Sequence, residues 1–213
     1  VIQALESQAA FPAPHGFTYR PKRAHELARR ALDLTVGSIA LLVALPVMAI
    51  AAVLIKLDDG GPILFCQRRV GRYGKLFVIY KFRTMRSDSC SDALKPATTT
   101  DSRVTRVGRY LRKLSIDELP QLFNVLRGDM ALVGPRPEMP FIVRQYQPWQ
   151  HMRHLATPGI TGLWQVTSRK TVPLQRPEAT ALDIEYIRTA SMATDFSLLF
   201  RTVGSLLSTR GVH

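Results

Sequence analysis

At 213 residues the chain holds one domain with a real core, and not a comfortable second. Its net charge of +13 and pI near 10.4 require an anionic partner: nucleic acid, an anionic membrane surface or phosphorylated substrates. Cys66 and Cys90 show no metal-ligand spacing in a chain this long, so they read as free thiols in a reducing compartment.

Residues 1–19 carry scattered prolines and glycine without a period, and Val1 stands where a start methionine is expected. This leader reads as loosely ordered, or as the remnant of something longer. Residues 20–30 are basic and helical in pattern, and they lead into residues 34–55, an apolar stretch without a charge that is long enough to cross a bilayer. A cleaved signal peptide is disfavoured because the run starts late and no small-x-small site ends it. A buried core helix is disfavoured by length and all-round apolarity. Pro46, near the middle, removes a backbone hydrogen bond and bends the helix. Basic residues flank both ends: Lys22, Arg23, Arg29 and Arg30 before, Lys56, Arg68, Arg69 and Arg72 after. Both ends are therefore expected on the cytoplasmic side, with a kinked helix entering and leaving through one leaflet.

Residues 61–85 read as two extended segments, 63–66 and 76–82, with Gly71 and Gly74 supplying the turn. Lys81 and Arg83 flank Phe82 and are expected on one face of a strand; a solvated basic edge is the plain alternative. Residues 87–100 are polar and loop-like. Residues 101–113 form a second basic helix, with Arg103, Arg106, Arg109 and Arg112 on one drifting stripe and Val104, Val107 and Leu111 on the other side, a pattern suited to lipid phosphates.

The chain is organised around residues 112–138, RKLSIDELPQLFNVLRGDMALVGPRPE. Ser115 and Glu118 have capping-box spacing, and Leu119, Leu122, Phe123 and Leu126 follow at the spacing of one buried helical face. Pro120 delays or distorts the start of that helix. Asp117 and Glu118 then lie at a helix N-terminus, a place that keeps an aspartate ionised or holds a phosphate. Pro135 and Pro137 hold Arg136 in a rigid frame. Residues 138–155 look like one amphipathic helix, in which His151 and His154 have spacing for a metal but no supporting ligands. Residues 158–166 read as turn then strand with Trp164 a core or interfacial aromatic, and residues 179–207 as an amphipathic helix.

The segment DELPQLFNVLRGDMALVGPRPE resembles the signature of the bacterial sugar transferase family, and residues 61–85, 105–113 and 158–166 extend the likeness in order. That family comprises monotopic phosphoglycosyl transferases, which move a sugar-1-phosphate from a nucleotide sugar onto polyprenyl phosphate. The resemblance implies a membrane-associated α+β fold. In it an N-terminal Pro-kinked re-entrant helix, a small β-hairpin and several amphipathic interfacial helices surround a compact cytosolic catalytic domain, with boundaries at 1–19, 20–58 and 59–213. It implies that Asp117 is the nucleophile, forming an aspartyl-phosphosugar intermediate, and that Glu118 with Asp117 holds Mg²⁺. Arg112 and Arg136 would bind the diphosphate, and the Pro135-Arg136-Pro137 frame the nucleotide. Lys81 and Arg83 would form a wall of the site, with Arg169 a further substrate contact. Two departures stand out: Leu45 precedes Pro46 where relatives often carry serine, and Thr167-Ser168-Arg169 replaces a serine-glycine-arginine turn.

The implied partners are a UDP-sugar, undecaprenyl phosphate and inner-membrane lipids at the cytoplasmic face, with no nucleic acid and a homodimer left open. The implied sugar is a hexose, galactose or glucose, and the implied pathway is exopolysaccharide or surface-glycan assembly. Charge alone also fits a nucleic-acid binder, but no recognisable motif accompanies it and the apolar stretch is out of place. A non-catalytic membrane adaptor and a glycosyltransferase releasing UDP are the other readings.

Overall fold

The computed structural model describes residues 23–86, 101–168 and 171–207. The leader, the expected loop at 87–100, Cys90 and Arg169 lie outside the described residues. Helix α1 (Arg23–Asp59) merges the expected basic helix and apolar run into 37 residues, about 55 Å if straight. Pro46 lies inside it, and both sides belong to one helix. The buried positions Asp33, Gly37, Ala44, Met48, Ala51 and Ile55 recur at helical spacing, so one stripe packs on the protein along the helix. Ile39, Leu42, Val43, Ile50, Val53 and Leu57 face outward and are exposed. Among the described residues this is the one helix long and apolar enough to cross a membrane.

Both ends of α1 are tied to the same folded unit. Near its start, Arg29 bonds the Val133 carbonyl, and Asp33 accepts from Leu132 N at 2.8 Å. Near its end, Asp58 accepts from Val107 N at 3.1 Å and Asp59 pairs with Arg83.

Strands β1 (Leu64–Val70) and β2 (Leu76–Phe82) form an antiparallel hairpin, longer in its first strand than expected, with Arg69 opposite Phe77 and Phe65 opposite Lys81. Alternation therefore puts Gln67, Arg69, Ile79 and Lys81 on one face. The turn uses left-handed backbone at Tyr73 and Gly74 (φ 54° and 79°).

Helix α2 (Arg106–Lys113) starts five residues later than expected, because Thr105 caps it by accepting from Gly108 N at 2.9 Å. Val104 and Leu111 are buried as the pattern required. Helix α3 (Gln121–Arg127) is locked to β2 by Asn124, which donates to Val78 O at 2.7 Å and accepts from Tyr80 N at 3.1 Å. Arg30 reaches the carbonyls of Val125 and Leu126 at the C-terminal end of α3, both at 2.7 Å, where a cation suits the helix dipole.

Two short strands, β3 (Ala131–Val133) and β4 (Gly159–Thr161), pair in parallel, Ala131 with Gly159 and Val133 with Thr161. Residues 158–166 enter a strand directly after Pro158, as expected, but the strand stops at Thr161 and helix α5 (Leu163–Thr167) follows where more strand was expected. The expected helix over 138–155 is instead helix α4 (Pro140–Val143) followed by a 3₁₀ stretch, Pro148–Leu155. Pro140 and Pro148 each occupy a first-turn position, where a missing N–H costs nothing, and each would break a helix running through it. The expected C-terminal helix is two, α6 (Pro177–Thr189) and α7 (Met192–Leu207), with Ser191 accepting from Thr194 N at the break. Trp164 is buried and donates to Val172 O at 2.9 Å.

Candidate active site

After α2 the chain reverses at Ser115, whose φ of 56° is left-handed, and enters a single 3₁₀ turn, Ile116–Glu118. The expected capping box is absent: Ser115 makes no side-chain cap bond, because a capping residue needs extended backbone and this one does not have it. Helix α3 begins only at Gln121, with Leu122 and Val125 buried and Phe123 41% exposed, so the expected buried face is rotated.

Asp117 and Glu118 therefore precede the helix, and nearby N–H groups are consumed by the turn, Glu118 N on Ser115 O and Leu119 N on Ile116 O. Positive charge reaches the pair through side chains instead. Glu118 Oε1 accepts from Lys81 Nζ at 2.9 Å and from Arg136 Nη2 at 2.6 Å. Burial is the largest single influence and disfavours the Arg136 charge, but Glu118, Glu138 and Asp117 together outweigh it and the pKa is raised. For Lys81 burial wins over Glu118 and the pKa is lowered. Arg112 is fixed by its Nε bond to Thr84 Oγ1 at 2.8 Å. Burial lowers its pKa, and Asp117 is the leading charge opposing that shift.

The structure thus brings Lys81, Arg136 and Glu118 into contact, with Arg112 facing the field of Asp117. Arg83 directly follows the end of β2, its N–H still donating to Ile63 O at 2.9 Å, and its side chain pairs with Asp59 at the end of α1. Pro135 and Pro137 frame Arg136 beside the β3–β4 pair, where Gly134 N donates to Thr161 O at 2.7 Å. Sequence reasoning missed Arg69 and Thr84. Arg69 shares the hairpin face of Lys81, with a side chain 16% exposed and a pKa lowered to about 10 by burial. Counting alternate positions back across the turn from Lys81 would have found it. Thr84 has no such signal, since its role is to hold Arg112.

Because the Lys81 pKa is lowered, Lys81 sheds its proton before its arginine partner as pH rises, leaving Glu118 with one cation. Lys81→Arg is expected to move the alkaline limb of the pH–rate profile upward. An unmoved limb would remove Lys81 from the charge balance of the site.

Among the described residues no three His, Cys, Asp or Glu side chains gather as a metal cage. Asp117 and Glu118 still fit Mg²⁺, which takes one or two carboxylates and completes its shell with water and substrate phosphate oxygens.

A carboxylate pair flanked by half-buried guanidinium and ammonium groups, on an α+β unit carrying one long apolar helix, is chemistry suited to phosphate oxygens. Residues 24–209 match the model of the bacterial sugar transferases, and the chain belongs to that family. It is 45% identical over 200 residues to the UDP-glucose:undecaprenyl-phosphate glucose-1-phosphate transferase of Caulobacter vibrioides, covering 91% of this chain and 74% of the relative. It is 44% identical over 187 residues to the undecaprenyl-phosphate glucose phosphotransferase of Komagataeibacter xylinus, covering 83% of this chain and 35% of the relative. A third relative, the exopolysaccharide production protein ExoY of Rhizobium meliloti, is 36% identical, with 88% of each chain covered. The chain thus spans about a third of the Komagataeibacter relative's length and three quarters of the Caulobacter one.

Proposed function

We propose that this protein transfers a hexose-1-phosphate from a UDP-sugar to undecaprenyl phosphate and releases UMP, the first step in assembling an exopolysaccharide or other surface glycan. The observation that carries this reading is the double grip of Lys81 and Arg136 on Glu118 beside Asp117, in a chain of this family. An Asp117 carboxylate oxygen attacks the phosphorus nearer the sugar, and the bond from that phosphorus to the bridging oxygen breaks. UMP leaves, and an aspartyl-phosphosugar remains. A phosphate oxygen of undecaprenyl phosphate then attacks the same phosphorus, breaking the bond to Asp117 and restoring the carboxylate. Arg112 and Arg136 bind and orient the diphosphate, with Pro135 and Pro137 framing the nucleotide, while Lys81 and Arg136 hold Glu118 in place. Asp117 and Glu118 would hold Mg²⁺, which when bound would supply charge neutralisation at the phosphate oxygens. Arg83 supports the wall of the site by tying its strand to α1, and Arg169 remains a candidate substrate contact.

The membrane placement follows from the lipid acceptor. Both ends of α1 bond to one folded unit while its outer side is apolar and exposed. That supports a monotopic arrangement at the cytoplasmic face of the inner membrane, the helix entering from one side and the basic α2 lying against anionic lipid.

The test is the nucleotide released when detergent-purified protein meets undecaprenyl phosphate, Mg²⁺ and a panel of UDP-sugars. UMP from glucose or galactose donors is expected, and chelation should stop it. UDP would mean ordinary glycosyl transfer, and no nucleotide from any donor would favour the adaptor reading.

A further inference from the structure

Two prolines in three residues leave the Arg136 loop unable to organise itself, since neither Pro135 nor Pro137 has an N–H to donate. The loop is held entirely from outside, through four successive carbonyls. Pro135 O accepts from Gly159 N at 2.9 Å and Glu138 O from Val70 N at 3.0 Å. Between them, Arg136 O accepts from Arg153 Nη2 at 2.7 Å and Pro137 O from Arg69 Nη1 at 3.4 Å. Two guanidinium groups, Arg153 buried and Arg69 half-buried, thus do for this loop what strand partners do for its ends.

Arg153 is the more deeply placed. Its side chain is 2% exposed, and Nη2 lies 2.6 Å from Asp183 Oδ2 on α6, itself 2% exposed. Its other arm donates to the Tyr146 hydroxyl. Burial pushes the Asp183 carboxyl up to about 6 against the pull of Arg153, so keeping this pair ionised inside the fold is costly. A buried ion pair rarely outperforms well-packed apolar side chains in stability alone. What an apolar pair could not do is deliver a charge-assisted bond to the Arg136 carbonyl.

We propose that Arg153, anchored by Asp183 and Tyr146, is a positioning residue that sets the height of Arg136 over Glu118 and over the substrate diphosphate. The inference rests on the phosphosugar-transfer reading of the site. It makes helix α6, which contributes neither Asp117 nor Glu118, part of the apparatus that aims an active-site arginine.

The test is a double-mutant cycle on UMP release. Arg153→Met combined with Asp183→Asn removes the bond to Arg136 without stranding a buried charge. Arg153→Lys is the second variant, keeping a cation for Asp183 but not the fork. Thermal melting in detergent identifies which of them folds as the wild type does. With Arg136 present, the variant is expected to lose about tenfold to a hundredfold in rate, the scale of a misplacement near 1 Å. The loss should be divided between kcat and KM as in Arg136→Ala. In the Arg136→Ala background the same change should cost less than about twofold. Equal losses in both backgrounds, or none with Arg136 present, would overturn the positioning role while leaving phosphosugar transfer intact. An Arg136→Ala protein as active as the wild type would instead sink the diphosphate role of Arg136, and this inference with it.

Discussion

Asp117→Asn is expected to abolish sugar-1-phosphate transfer, with a loss on the order of 10⁴-fold or more, because an amide cannot accept the phosphoryl group and then release it. The substitution changes one oxygen to nitrogen in a half-buried turn, so the fold should be spared. The decisive measurement omits the lipid. Wild-type protein given a UDP-sugar labelled at the phosphate nearer the sugar should retain label through acid precipitation, and should exchange free UMP into the donor. Asp117→Asn should do neither. Glu118→Gln is the contrasting case. It keeps an oxygen acceptor for Lys81 and Arg136 but leaves both cations poorly compensated, and it should lower the rate by roughly 10²–10³ without removing the exchange reaction. Full labelling in Asp117→Asn would move the nucleophile elsewhere, and Glu118 would be the next carboxylate to examine.

The parts of this fold that were legible in the sequence are those where one local signal dominates. An uncharged run ending in basic flanks admits few structures, and α1 is one of them. Gly71 and Gly74 between two apolar segments specified the hairpin. Where signals compete, the stronger constraint was not always the longer pattern. Ser-x-x-Glu at Ser115 and Glu118 is a sound capping box in isolation, yet the chain must reverse direction there, and a left-handed Ser115 cannot cap. The apolar periodicity over 138–155 was genuine too, but Pro140 and Pro148 divide it. The three-residue strand β4 is too short for alternation to register, which is why the helix α5 that follows it was read as more strand. The site itself was legible only in pieces. Lys81, Glu118 and Arg136 carried marks of their own, but their meeting is a long-range contact that no spacing rule encodes. The pairing of Arg83 with Asp59 at the end of α1 is likewise a long-range contact that no spacing rule encodes.

The Arg136 loop also explains the second large expected effect, from Gly159→Ala. A Cβ at Gly159 would lie 2.1 Å from Gly134 N, 2.6 Å from Thr161 O and 2.6 Å from Val133 C, all backbone atoms that no rotamer change can move aside. Relief requires β3 and β4 to separate, which breaks the bonds from Gly159 N to Pro135 O and from Gly134 N to Thr161 O. The expected cost is about 3–5 kcal/mol, from strain together with lost pairing, or roughly 10 °C in melting temperature for a domain of this size. Activity should fall even in protein that remains folded, because the same separation carries Arg136 off Glu118. Gly204→Ala is the control. It lies in α7 with nothing within 4 Å of its Cβ, and alanine there should stabilise by about 0.5–1 kcal/mol. Melting curves that rank Gly159→Ala beside the control would mean that β3 and β4 are not pressed together at these glycines. The account of how the β3–β4 pair anchors the Arg136 loop over the acid pair would then lose its foundation.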